Sequence, residues 1–108
     1  MSEYHVDFLV SAEKDMLKIA TYISNELYNY DSAMRLIDRL EEAKNSLKTL
    51  PYRHPIYESD TVKTEFRKMI VDNYIMFYII KDKNVYIAFV IHHKQDFDAI
   101  LKNFKSEY

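Results

Sequence analysis

The chain has no cysteine, no glycine and only two prolines in 108 residues. Without cysteine there is no disulfide framework, no thiolate zinc site and no cysteine nucleophile. Without glycine, the phosphate-cradling loops of P-loop and dinucleotide-binding proteins are excluded, because their backbone approaches phosphate where any side chain would clash. Long apolar runs are missing too, and the opening MSEYHVDFLV is neither basic nor long enough for a signal peptide. The expectation is a soluble, cytoplasmic domain with no membrane span. Nothing points to a metal or an organic cofactor.

What is present is apolar and aromatic: 48% of residues are hydrophobic, with ten Tyr and six Phe. That composition argues against disorder. It suits one domain over residues 1–108, since a chain of this size buries roughly 65% of its unfolded surface. The net charge of −2 does not advertise a nucleic-acid binder as a whole. The distribution is uneven, however. Residues 1–50 carry six Lys/Arg against nine Asp/Glu, and residues 51–108 carry nine against eight. Any polyanion site is therefore expected to be local and in the second half.

Tyr4, Val6, Phe8 and Val10 alternate with more polar neighbours, which predicts a half-buried strand. Ser11 is the expected cap of a first helix, with Glu13 and Asp15 at its positive end. Met16, Ile19, Ala20, Ile23 and Leu27 form its apolar stripe. Asp31 is the expected cap of a second helix, whose stripe is Ala33, Leu36, Ile37, Leu40, Leu47 and Leu50, with Pro51 past its end. Residues 51–63 read as a loop. Strands follow at Glu65–Val71, where Phe66 and Ile70 oppose Arg67, and at Tyr74–Ile80 and Val85–Ile91. Asp72-Asn73 and Lys81-Asp82-Lys83-Asn84 supply the turns, with Asp and Asn standing in for glycine. Asp96 caps a short last helix carrying Phe97, Ile100, Leu101 and Phe104. The order β-α-α-β-β-β-(α) makes the fold class α+β, a small mainly antiparallel sheet with a helical hairpin on one face.

This order, with the strings it carries, resembles the RelE/ParE superfamily, the toxins of bacterial type II toxin–antitoxin pairs. The most specific stretch is FRKMIVDNYIMFYIIKDKNVYIAFVIHHKQDFDAIL, residues 66–101, and SAEKDMLKIATYI at 11–23 supports it. An Arg-led strand, a Y-x-x-F-Y strand, a polar turn, an apolar strand and an H-x-[KR]-x-D exit follow in the family's order. The resemblance implies a cognate antitoxin as partner and either DNA gyrase or ribosome-bound mRNA as target.

The two branches make different demands. Cutting mRNA needs a base for the 2′-hydroxyl, an acid for the leaving oxygen and cations for the phosphorane charge. RNA-cutting members place Arg after the Tyr of the central strand, where this chain has Ile75, and a Tyr after the basic exit, where it has Phe97. His93, Lys94 and Arg67 are the candidate catalytic residues under that reading, with His93 three before Asp96. Gyrase-directed ParE-like members need no catalytic set and often carry an apolar residue at the Ile75 place, so the pattern fits them better. A third possibility is a toxin-fold binding protein without activity. His92, Asp96 and Phe97 are the accompanying contact residues at the exit. Met34, Leu36 and Tyr57 are the expected antitoxin seat, as exposed apolar residues beside the sheet.

Each feature also has a plain structural account. Arg67, Lys81, Lys83 and Lys94 read equally as solubilising charges. Tyr74, Phe77, Tyr78, Tyr86 and Phe89 read as core, whereas Tyr22, Tyr28 and Tyr30 near the helical turn read as exposed.

Overall fold

The computed structural model describes residues 3–105. The elements run β1 (His5–Phe8), α1 (Val10–Thr21), a π-helical turn (Tyr22–Glu26), α2 (Tyr30–Ser46), a 3-10 turn (Pro51–Arg53), β2 (Arg67–Val71), β3 (Tyr74–Lys81), β4 (Asn84–His92) and α3 (Phe97–Leu101). One four-stranded sheet has the order β1-β4-β3-β2. β2, β3 and β4 form the expected antiparallel meander, while β1 lies parallel to β4, from His5 against Asn84 to Phe8 against Ile87.

Both sheet faces are covered, which is why β3 is apolar throughout. The helical hairpin packs on one face, where Leu36, Leu40 and Leu47 meet Val6, Met76, Tyr78, Ile87 and Val90. On the other, α3 and the segment before β2 cover Phe66, Ile75, Phe77, Ala88 and Ile91. This second face is an aromatic cluster in edge-on contact, with ring centroids 5.4 Å apart for Phe66–Phe104 and 5.2 Å for Phe77–Phe97. Ala88 is an extra residue on β4: the register passes from Phe77↔Phe89 to Tyr78↔Ile87, a β-bulge.

The glycine-free turns form as the sequence suggests only at their aspartates. Asp72 and Asp82, the first residue of each two-residue hairpin loop, take φ of 54° and 58°, whereas Asn73 and Asn84 do not enter the left-handed region. Tyr28 and Leu50 also sit there, at 51° and 49°.

Several expectations are corrected. Leu9, not Ser11, precedes the first turn of α1, and it makes no side-chain cap. Ser11 instead donates its hydroxyl to the bulge carbonyl, Ala88 O, at 2.5 Å. Asn29, not Asp31, caps α2 by accepting from the Ser32 amide. The π turn widens the helix end and rotates Leu27 out of the stripe, so Leu27 is exposed. Leu50 is 70% exposed because its left-handed backbone ends the helical register, and Pro51 takes the buried place. Ile70 is 73% exposed and does not share a buried face with Phe66, because regular pairing begins only at Arg67.

Candidate functional site

The end of β4 is where chemistry-bearing side chains collect. The strand finishes at His92, and a tight turn follows in which Gln95 N donates to His92 O at 3.0 Å and His92 N donates to Gln95 Oε1 at 3.0 Å. His93 N donates to Asn73 O at 2.9 Å, pinning the turn to the β2–β3 hairpin. Asp96 then caps α3 by accepting from Ala99 N. The carboxylate that sequence reading assigned to this exit is thus a helix cap.

His92 is wedged between two rings: Tyr74 meets it edge-on with centroids 5.2 Å apart, and His93 stacks on it at 4.6 Å. Its Nδ1 accepts from Lys94 N at 3.2 Å, so the neutral ring carries its proton on Nε2. Partial burial, with the adjacent His93 and Lys94 charges, holds its pKa below the usual histidine value. His92 is therefore a neutral hydrogen-bond donor near pH 7. It lines a groove of about 540 Å³ with Asp15, Lys18, Tyr22, Tyr74 and Gln95, while His93 and Lys94 are exposed on the turn.

Asp15 is the residue sequence reading undervalued. Its Oδ2 accepts from Val90 N at 3.0 Å, across 75 residues of sequence, instead of serving the helix end. Burial raises its carboxyl above the ordinary value of 3.8, against the lowering effect of the Val90 bond and of Lys18.

Arg67 stands elsewhere. It pairs with Tyr78 on β3, whereas His92 pairs with Tyr74, four residues along the same strand. That offset is about 13 Å along the strand. Its guanidinium donates to Tyr52 O and His54 O and lies 4.9 Å over the Tyr52 ring. It fastens the 51–57 strap, and the structure does not bring it to His93 or Lys94.

The expected antitoxin seat is divided as well. Leu36 is buried in the core under the hairpin, because it faces the sheet on the α2 stripe, and so cannot be a docking residue. Met34 is exposed on the opposite side of that helix. Tyr57 is half-buried; its hydroxyl donates to Asp98 Oδ1 at 2.6 Å and its ring packs on Phe77 and Phe97. Burial and the Asp98 bond push the Tyr57 hydroxyl up to about 12. Phe97 sits in the aromatic cluster beneath α3. Among the described residues, no group of three or more His, Cys, Asp or Glu could hold a metal ion, and no helix is long and apolar enough to cross a membrane.

Sequence reading also missed the outer side of β2. Lys68 N donates to Pro55 O and Tyr57 N to Phe66 O, but beyond Lys68 no segment pairs with that edge among the described residues. Beside it lies a groove of about 370 Å³ lined by Arg39, Glu42, Ala43, Met69, Ile70 and Val71. Setting Ile70 with Phe66 against Arg67 concealed this, because alternation alone does not say which face of an edge strand stays open.

Comparison with known proteins agrees with this architecture. Residues 6–97 match the family described as ParE toxin of type II toxin-antitoxin system, parDE. A chain in the solved structure described as "Chromosomal ParDE TA system from P. aeruginosa" shares the fold with a TM-score of 0.69 at 14% identity, over 83% of this chain and 96% of that one. No curated protein matches the sequence.

Proposed function

This chain belongs to the ParE family, the toxins of type II toxin–antitoxin systems, and from that premise we propose that it arrests growth by binding DNA gyrase while a cognate antitoxin holds it inactive. The observation that carries the gyrase reading is the commitment of Arg67. With its guanidinium tied to Tyr52 O and His54 O, it is not free beside His93 and Lys94 to stabilise a phosphorane. Ile75 is buried and Phe97 lacks a hydroxyl, so neither adds a cation or an acid. Exposed His93 and Lys94, on a turn pinned at both ends, suit a rigid contact with a protein target. The open part of the β2 edge, with Ile70 exposed beside a groove of mixed polar and apolar lining, suits an antitoxin segment added as a strand.

The test is a supercoiling assay with purified gyrase and this protein, alone and with its antitoxin. Inhibition is expected, relieved by antitoxin and weakened roughly tenfold by the His93→Ala/Lys94→Ala pair, the loss of one contact worth about 1.4 kcal/mol. Normal supercoiling in excess toxin, with new 5′ ends appearing inside translated codons of cellular mRNA, would replace this reading with ribosome-dependent RNA cleavage.

A further inference from the structure

We propose that the opposite end of the sheet, around Tyr4, Tyr52 and the β3–β4 turn, is a contact surface for single-stranded nucleic acid. The chain carries a net charge of −2, yet exposed Lys48 and Lys83 stand here with Lys44 and Arg53, backed by the engaged Arg67. Lys83 Nζ lies 4.2 Å over the Tyr4 ring, the Arg67 guanidinium 4.9 Å over Tyr52, and Lys44 Nζ 5.3 Å over Phe8. The Tyr4 and Tyr52 rings meet edge-on at 6.4 Å. Main-chain bonds fix the arrangement: Tyr4 N donates to Lys48 O at 2.8 Å and His5 N to Lys83 O at 2.9 Å. Lys83, Tyr4, Tyr52 and Arg67 thus form a chain of cation–ring and ring–ring contacts across this end of the molecule, from the β3–β4 turn to the start of β2. Among the described residues, Glu65, 4.0 Å from Arg67, is the one carboxylate in ion-pair range of Lys44, Lys48, Arg53, Arg67 or Lys83.

The end of α2 points here, and the negative end of its dipole would repel a phosphate. Arg53 removes that obstacle. Its guanidinium donates to Thr49 O, Leu50 O and Ser46 O at 2.6, 3.0 and 3.2 Å. Lys48 and Lys83 are left without carboxylate partners among the described residues.

Between these charges lies a groove of about 440 Å³ lined by Tyr4, Leu50, Pro51, Tyr52 and Lys83. Its size suits a nucleotide-sized group. Tyr52 is 55% exposed, so part of its ring reaches solvent beside the Arg67 and Tyr4 contacts. An unpaired base fits an apolar groove walled by tyrosine, with flanking phosphates on Lys48 and Lys83, which is the combination single-strand binders use without sequence readout. No helix is presented for a duplex groove, and an acidic peptide would satisfy the lysines while leaving the ring unused. The surface is independent of the gyrase reading and stands if that reading fails.

Fluorescence anisotropy of the whole protein with a labelled single-stranded DNA oligonucleotide, over a NaCl series, tests it. The wild type should bind with log K falling against log salt at a slope near −1.4, about −0.7 for each of two phosphates. Lys48→Ala with Lys83→Ala should flatten that slope. Tyr52→Leu should weaken binding at least about fivefold and leave the slope in place. All three positions are exposed, and an unchanged thermal midpoint certifies the fold of each variant. The proposal is overturned if the variants bind as the wild type does, if a duplex of the same sequence binds equally well, or if a glutamate-rich peptide displaces the oligonucleotide at equal concentration.

Discussion

The outer sides of β4 and β2 are finished in opposite ways. On the β4 side every stretch has a partner. β1 pairs as far as Phe8, Leu9 N reaches Ile87 O, Ser11 Oγ takes Ala88 O, Asp15 accepts from Val90 N, and Gln95 accepts from His92 N. Ser11 and Asp15 are one helical turn apart, so α1 acts as a surrogate strand, supplying a donor and an acceptor at the β4 spacing. On the β2 side the strap covers only the first residues, and among the described residues nothing pairs with the outer side of Met69 to Val71, which ends at the Arg39–Asp72 ion pair, 2.5 Å long. An edge strand left open invites another chain. The difference teaches that this fold extends the pairing of β4 with side chains of its own first helix and supplies no such substitute along the end of β2.

The comparison breaks most visibly if the strap is unloaded. Phe66 is fully buried where the strap joins β2, in ring contact with Phe77, Phe89 and Phe104. Phe66→Ala should cost about 3–5 kcal/mol in urea unfolding; a loss below about 1 kcal/mol would mean the aromatic cluster does not fix the strap. Next comes the sealed edge. Asp15→Ala strands a half-buried Val90 N–H and should cost about 1–3 kcal/mol, with Asp15→Asn recovering most of it because an acceptor remains.

The same pair gives a pH signature. Burial raises the Asp15 carboxyl above 3.8, so the folded chain holds that proton where the unfolded chain has released it. Stability from this group is full below pH 3.8 and is lost as pH rises through the higher folded value. Wild type should therefore fall relative to Asp15→Asn across that interval, and parallel curves would show the carboxyl to be unshifted. Ser11→Ala should cost about 1 kcal/mol by chemical denaturation, through the bulge carbonyl it leaves unpaired. Smallest in stability is Ile70→Lys, within about 0.5 kcal/mol. Calorimetric titration with antitoxin should nonetheless show a loss above tenfold, whereas an unaltered affinity would place the antitoxin elsewhere.

What was legible in the sequence was local. The aromatic β3, the aspartates at positive φ in both hairpins and the Asp96 cap follow from patterns within a few residues, and each forms. Helix ends were harder. Asn29 and Asp31 are both good caps, and only the backbone entering from Tyr28, left-handed and 90% exposed, selects Asn29. The candidate site resisted for a different reason. Ser11 and Asp15 read as ordinary residues of a helix start because their partners lie 77 and 75 residues away, and no periodicity encodes that distance. Arg67 was legible as a strand arginine, but its engagement with the strap depends on where the loop at 52–54 returns.

The parallel pairing of β1 with β4 has a consequence for how the molecule is made. β1 leaves the ribosome well before β4 and waits for it, because its hydrogen-bonding partner runs from Asn84 to Ile87. Until then Ser11 and Asp15 face no sheet, and the hairpin can cover only an unfinished surface. Closing so long a loop precedes the contacts that reward it, which slows folding of such topologies. Synthesis therefore includes an interval in which the residues of both helices have emerged while the sheet that they cover still lacks β4, and the β4 turn with its two histidines follows later still.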